Sequence, residues 1–257
     1  MAAFYNEIDR LCCDWLQDLI DARLITPGKI DDRPVQELSP DDFRGYERVH
    51  FFAGIAGWDH ALNLAGWRGP VWTGSCPCQP FSAAGKGKGA ADDRHLWPYW
   101  FRFVRECRPA TVFGEQVAAA IGRGWLDAVF ADLEAQSYAC ASAVLPACGV
   151  GAPHLRQRVW FVADSGGNRR EERINQCRVA PTSRQQGYSP KRSCSATWAD
   201  LEWLPCTDGK ARPVEPGTFP LAHGIPGRVG RLRAYGNAIV PQVAAEFIKA
   251  ATEANND

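Results

Sequence analysis

Cys78 stands between Pro77 and Gln79 in the run Gly74–Gly89, GSCPCQPFSAAGKGKG. Proline fixes the local backbone and withholds an amide proton, and the glycines at 85, 87 and 89 leave the following loop pliable. A cysteine at a strand end, just ahead of such a loop, stands where a nucleophile would stand. A small, buried, inert cysteine fits the same tripeptide. A second candidate is the turn Ala53-Gly54-Ile55-Ala56-Gly57. Strand, glycine turn and helix start together offer close backbone approach and unsatisfied amides to a nucleotide-like group; plain helix–strand packing is the alternative.

These residues need a scaffold, and the periodicity of the chain supplies one. Ala2–Ile8 reads as a strand. Asp9–Leu24 follows as an amphipathic helix (Leu11, Trp15, Leu16, Leu19, Ile20, Leu24), stopped by Thr26-Pro27-Gly28. Lys29–Val35 is extended and Ser39–Asp42 is loop. Arg48–Phe52 is a buried strand, Trp58–Ala65 a helix ending at Gly66, and Val71–Ser75 the strand that carries the cysteine loop. Leu96–Cys107 and Trp125–Gln136 read as helices; Thr111–Phe113, Tyr138–Val144 and Val159–Ala163 read as strands. Alternating strands and helices predict an α/β fold with a mostly parallel sheet, whose ligands sit at the carboxyl ends of the strands. Glu7, Gly54, Cys78 and Glu115 each fall just past a predicted strand, so the fold rule gathers them on one edge.

From Asp164 to about Gly217 the periodicity fails, and regular sequence returns with Ala234–Ala250, where Tyr235-Gly236-Asn237 precedes a helix containing Val243, Phe247 and Ile248. The expected organisation is a catalytic domain of 1–164 plus 218–257 with a small recognition lobe at 165–217.

Composition narrows the classes. A chain of 257 residues with 46% hydrophobic and 23% charged residues can bury a full core. No apolar run approaches the ~18 residues of a membrane span and no signal-peptide pattern opens the chain, so no membrane partner and a cytoplasmic location are expected. The ten cysteines form no paired Cys-x-x-Cys knuckles, and Cys177, Cys194, Cys206 and His223 are too irregularly spaced for zinc; reduced thiols and no metal are expected. Net charge is zero, yet Arg169–Arg192 carries seven basic residues against Glu171 and Glu172. Such a patch suits a nucleic-acid backbone and equally suits a solvated loop.

Five segments, in order, resemble motifs of the DNA (cytosine-5) methyltransferases: Phe52–Gly57 (Phe-x-Gly-x-Gly), Pro77-Cys78-Gln79, Phe113–Val117 (FGEQV, beside Glu-Asn-Val), Gly151–Arg158 (GAPHLRQR, beside Gly-x-Pro-Gln-x-Arg-x-Arg) and Gly236–Val240 (GNAIV). The N-terminal Asn6-Glu7-Ile8-Asp9, followed by Gly28-Lys29-Ile30-Asp31, resembles the family's second and third cofactor segments, which ordinarily follow the glycine loop. The chain is thus similar to a permuted, compact, phage- or prophage-type member, with the Glu7 strand beside the Phe52 strand and the Val71 strand on the other side. The crossover from the Phe52 strand to the Val71 strand then runs in the opposite sense along the sheet. The right-handed rule would move its helix to the opposite face.

The resemblance implies a Rossmann-like, class I S-adenosylmethionine-dependent fold and methyl transfer to cytosine C5 in double-stranded DNA. It makes Cys78 the nucleophile, Glu115 the group on the cytosine edge, and Arg156 and Arg158 lining residues of that pocket. Cofactor contacts would come from Phe52, Ala53, Gly54, Ile55, Gly57 and Trp58. Further contacts would come from Glu7 on the ribose, Ile8 against the adenine, and Pro77, Asn237 and Ala238. Lys29 replaces the expected aspartate, which passes the adenine contact to Asp31, and Ala56 replaces the loop's second glycine. Gln79, Ser82, Lys86 and Lys88 would touch DNA. A monomer that protects DNA from restriction is the expected biology. The competing reading is a catalytically weak DNA-binding regulator, which Lys29 and Ala56 favour and the intact Cys78, Glu115, Arg156 and Arg158 oppose.

Overall fold

The computed structural model describes residues 1–77, 96–166 and 236–256, together with the backbone of 202–205 and 211–214. Cys78, Gln79, Ser82, Lys86, Lys88 and most of the 165–217 lobe lie outside the described residues. Within that lobe, β8 (Glu202–Pro205) and β9 (Ala211–Val214) pair antiparallel.

A seven-stranded sheet organises the rest. Its strands are β1 (Ala3–Asn6), β2 (Gly28–Asp31), β3 (Arg48–Phe51), β4 (Val71–Gly74), β5 (Thr111–Val117), β6 (Ala139–Leu145) and β7 (Arg158–Asp164), in the spatial order β2-β1-β3-β4-β5-β7-β6. The first five run parallel, and β7 runs antiparallel to both of its neighbours. β1, β3 and β4 are buried along their whole length. Burial on both faces is what a parallel sheet clad in helices imposes. The Glu7 strand lies beside the Phe52 strand with the Val71 strand on its other side, as the sequence led us to expect.

Alternation along the strands divides the core. Phe4, Val49, Phe51 and Trp72 face α3 (Trp97–Cys107) and α4 (Trp125–Glu134), where Trp97, Trp100, Phe103 and Val104 recur at helical spacing. Tyr5, His50, Val71 and Phe113 face the other way. That face holds α1 (Arg10–Asp21), capped by Asp9 through the Leu11 amide, α2 (Gly57–Ala65) and α5 (Pro241–Asn256). α5 outruns its expected end because Ala251 still packs on the core.

The crossovers carry the main surprise. β1-α1-β2 steps one way along the sheet with its helix on the Tyr5 face. The β2–β3 connection (Val35, Leu38, Phe43) and β4-α3-β5 step the other way with their links on the Phe4 face, so all three share one hand. β3-α2-β4 also steps the other way, yet α2 lies on the Tyr5 face. Its hand is therefore opposite to the others, and since about 98% of such crossovers are right-handed, this is the left-handed one. The right-handed rule, which would put α2 on the Phe4 face with α3, is not obeyed at this crossover.

Buried chemistry holds α2 in place. Asp59, in its first turn, is fully buried; it receives Arg48 Nη1 at 2.7 Å and Thr26 N at 2.8 Å, with His50 Nε2 at 3.4 Å. Burial pushes this carboxyl's pKa up, but His50, the Thr26 amide and Arg48 outweigh it and hold the group well below the usual carboxylate range. Trp58 packs on Phe113 and edge-on to Trp160. The return to β4 is short: Gly66 takes a left-handed φ of 73°, Trp67 Nε1 bonds Gly69 O, and Val71 N bonds Glu47 O.

Several boundaries differ from the sequence reading by a residue or more, and two have a clear physical cause. β5 runs to Val117, so Glu115 lies within the strand rather than past it, because antiparallel pairing with β7 extends the ladder to Val117–Arg158. The Ser39–Asp42 loop contains a 3-10 turn, Pro40–Asp42, closed by reciprocal bonds between Ser39 and Asp42.

Candidate active site

A cavity of about 520 Å³ opens at the carboxyl ends of β1, β3, β4 and β5, where ligands of open α/β sheets bind. On one side lies the loop after β3. Phe52 (φ 54°), Gly54 (φ 56°) and Ala56 (φ 64°) alternate in the left-handed region. Two of the three carry side chains, at a cost of roughly 1–2 kcal/mol each. The loop is held from outside: Gly54 N donates to Glu7 Oε2 at 2.7 Å, while Asp9 N donates to Glu7 Oε1 at 2.9 Å. At Gly57 a β-carbon would sit 2.6 Å from Ile239 Cγ1, so this glycine lets the chain before α5 close on the loop.

The other side is acid and base chemistry. Glu115 is buried, and Arg158 Nε lies 2.8 Å from its Oε1. Burial raises its pKa; Arg158, a hydrogen bond from Ser75 and the charge of Arg156 pull the other way, and burial wins. Ser75 Oγ is fixed in turn by Trp58 Nε1 at 3.0 Å. Arg156 Nη2 donates to Gly236 O (3.0 Å) and Ala238 O (2.6 Å), tying the run into β7 to the segment before α5.

Between the two sides the chain runs Ser75-Cys76-Pro77 toward Cys78. Gln116 Nε2 donates to Cys76 O at 3.2 Å, anchoring that run to β5. Burial first, and the charge of Glu115 second, push the Cys76 thiol pKa far up, so Cys76 stays a protonated thiol and a poor nucleophile.

The sequence-derived residues divide cleanly. Glu7, Ile8, Phe52, Gly54 and Pro77 stand in the cavity wall. Glu115, Arg156, Arg158, Asn237 and Ala238 stand there too. Ala53 instead packs under the loop with Tyr5 and Leu16, Trp58 belongs to the core, and Ile55 and Gly57 do not line the cavity. Asp31 is also outside it: its carboxylate takes Arg33 Nε (2.9 Å) and Nη2 (2.7 Å), with Lys29 Nζ at 3.1 Å. Sequence reasoning missed Asn6, Ser75, Gln116 and Pro34-Val35-Gln36 in the wall. Asn6 and Gln116 lie inside quoted motifs and Ser75 beside one, so all three were within reach of that signal; residues 34–36 follow β2 with no motif to mark them.

Five parallel strands, a reversed β7 and a glycine loop leading into a helix at the carboxyl edge define a Rossmann-like fold of the class I methyltransferase type. Counted from β3, the order β2-β1-β3-β4-β5 is the 3-2-1-4-5 of doubly wound sheets. The chain belongs to the C-5 cytosine-specific DNA methylase family, whose model matches residues 70–202, just over half of it.

Among its relatives, Type II methyltransferase M.AluI of Cellulosimicrobium cellulans is 33% identical over 132 residues, 45% of this chain and 25% of that protein. Type II methyltransferase M.NgoMIV of Neisseria gonorrhoeae is 36% identical over 98 residues, 35% of this chain and 30% of that one. These matches thus span less than a third of the relatives' own length. Among solved structures, a variant of Spodoptera frugiperda DNMT2 superposes with a TM-score of 0.42 at 16% identity, covering 72% of this chain and 45% of that one. S. pombe Dnmt2 methyltransferase superposes with a TM-score of 0.36 at 14% identity, covering 64% and 50%.

Proposed function

We propose that the protein transfers a methyl group to C5 of cytosine in double-stranded DNA, with S-adenosylmethionine as donor and Cys78 as covalent nucleophile. The observation that carries the reading is Glu115: a buried carboxyl of raised pKa, paired with Arg158, in a cavity wall that also holds the run-in to Cys78.

Cytosine C5 is a poor nucleophile. When the Cys78 thiolate forms an Sγ–C6 bond, the C5–C6 π pair becomes available at C5 and negative charge builds toward N3. Glu115 holds a proton at N3 and offsets that charge, which suits a carboxyl whose pKa burial raises. Its other oxygen accepts from the exocyclic amine, so a thymine carbonyl is refused. Arg158 orients the carboxyl and Arg156 holds the Gly236–Ala238 segment against the site. Once C5 has gained the methyl group, loss of its proton to water, with the electron pair expelling Cys78 Sγ and the N3 proton returning to Glu115, restores the aromatic ring. The target atom is inaccessible in a stacked duplex, so the base is flipped out, with Gln79, Ser82, Lys86 and Lys88 as the contacts to the extruded strand.

The cavity fits the donor. Glu7 suits the ribose hydroxyls, Ile8 an apolar ring, and Phe52, Gly54, Pro77, Asn237 and Ala238 the remainder. When bound, the donor supplies an electrophilic sulfonium methyl. The strand order supports a permuted arrangement, with the second and third cofactor segments placed before the first, and 165–217 as the part that reads the target sequence. Protection of DNA from restriction, by a cytoplasmic monomer, is the biology that follows.

The test is methyl transfer from labelled S-adenosylmethionine to unmethylated genomic DNA, followed by bisulfite sequencing. Label at cytosine C5 supports the reading. No label from folded protein that binds the cofactor would leave the DNA-binding regulator.

A further inference from the structure

The cavity has two ends. Glu115 and the arginines occupy one. The other is walled by the segments that leave the adjacent carboxyl ends of β1 and β2. Its apolar members are Ile8, which is 64% exposed, with Pro34 and Val35. Such a wall suits the faces of a flat ring, whose edge then needs polar partners.

Most polar groups there are already committed. Both Glu7 oxygens accept backbone amides, and their remaining lone pairs face the ribose in the reading above. Asp9 caps α1. Asn6 Nδ2 donates to Asp31 O at 3.1 Å and Arg33 O at 2.8 Å; both partners are carbonyl oxygens, which only accept, so its NH2 group is used up. Asp31 is consumed by Arg33 and Lys29 outside the wall. Asn6 is left with an acceptor alone, whereas Gln36 has a donor and an acceptor open: it is exposed, stands in the wall, and makes no hydrogen bond among the described residues.

Resting on the reading of the cavity as a cofactor site, we propose that Gln36 reads the adenine of S-adenosylmethionine. A carboxamide carries an acceptor and a donor side by side. It can therefore accept from the 6-amino group and donate to the adjacent ring nitrogen, the bidentate match of glutamine to adenine. A carboxylate in the same place offers the acceptor alone.

The experiment is titration calorimetry of S-adenosylhomocysteine and its 6-deamino analogue, with wild-type protein and Gln36→Leu. Gln36 lies on the surface of a single 3-10 turn, Val35–Glu37, and an unchanged unfolding midpoint verifies that the variant folds. Deleting the amino group should weaken binding about tenfold in the wild type and hardly at all in Gln36→Leu. An equal penalty in both proteins overturns the assignment of Gln36 while leaving the cofactor reading intact. Failure of the wild type to bind S-adenosylhomocysteine overturns the cofactor reading itself, and this inference with it.

Discussion

Glu7 Oε2 accepts a hydrogen bond from Gly54 N at 2.7 Å, across 47 positions of the chain. The contact fastens the end of β1 to the left-handed loop after β3, although α1, β2, two 3-10 turns and β3 itself lie between them in sequence. It makes the N-terminal segment part of the site rather than an appendage to it, and it holds a loop in which Phe52 and Ala56 take a conformation that glycine would take more cheaply.

Glu7→Ala should weaken S-adenosylhomocysteine binding by about ten- to a hundredfold, the worth of a hydrogen bond to a charged group. Titration calorimetry reads this directly. Unchanged affinity would separate the N-terminal segment from the cofactor site.

Glu115→Gln should lower turnover by about 10²–10⁴ with cofactor affinity kept. Its pKa is raised by burial in the fold, so the folded protein holds this proton more tightly than the unfolded chain does. The stabilisation is therefore present in acid and is lost as pH rises through the folded value. Urea unfolding across pH should show wild-type protein losing stability relative to Glu115→Gln as pH rises; a constant difference would mean that the carboxyl is not perturbed.

Cys78→Ser should abolish methyl transfer and leave DNA binding largely intact. Cys76→Ser should keep most turnover at some loss of stability, because Cys76 is a buried thiol held protonated. Loss of turnover on replacing Cys76, with folding verified, would shift the nucleophile to that residue.

Asp59→Ala strands Arg48, which is buried beside it at 2.7 Å, and should cost about 3–5 kcal/mol in urea unfolding. The double variant Arg48→Met/Asp59→Leu should recover much of that loss, because no charge then remains buried. A small loss in the single variant would show that packing of Trp58 and α5, rather than this ion pair, keeps α2 on its face.

Much of the site was legible in the residues. The Phe52–Gly57 turn and Glu115 are local patterns, and local patterns survive whatever order the chain visits the sheet; of Pro77-Cys78-Gln79 only Pro77 is among the described residues, and it stands in the cavity wall. Glu7 was legible only through the resemblance of Asn6-Glu7-Ile8-Asp9 and Gly28–Asp31 to two family segments, and the expected pairing of β1 with β3 came from that resemblance. Asp31 was not: its type suits a ligand, but its carboxylate is claimed by Arg33 and Lys29, a fact about neighbours in space.

The sequence by itself determined the α/β class, the parallel strands and the identity of the chemical groups, because these depend on periodicity and residue type. Only the tertiary structure decided on which face α2 lies, that Glu115 sits inside a strand, and that Gln36 stands in the cavity wall. Each of these is settled by contacts between distant segments: the buried Arg48–Asp59 pair, the β5–β7 ladder, and the adjacency of the β1 and β2 ends. No periodicity within one segment encodes its distance from another.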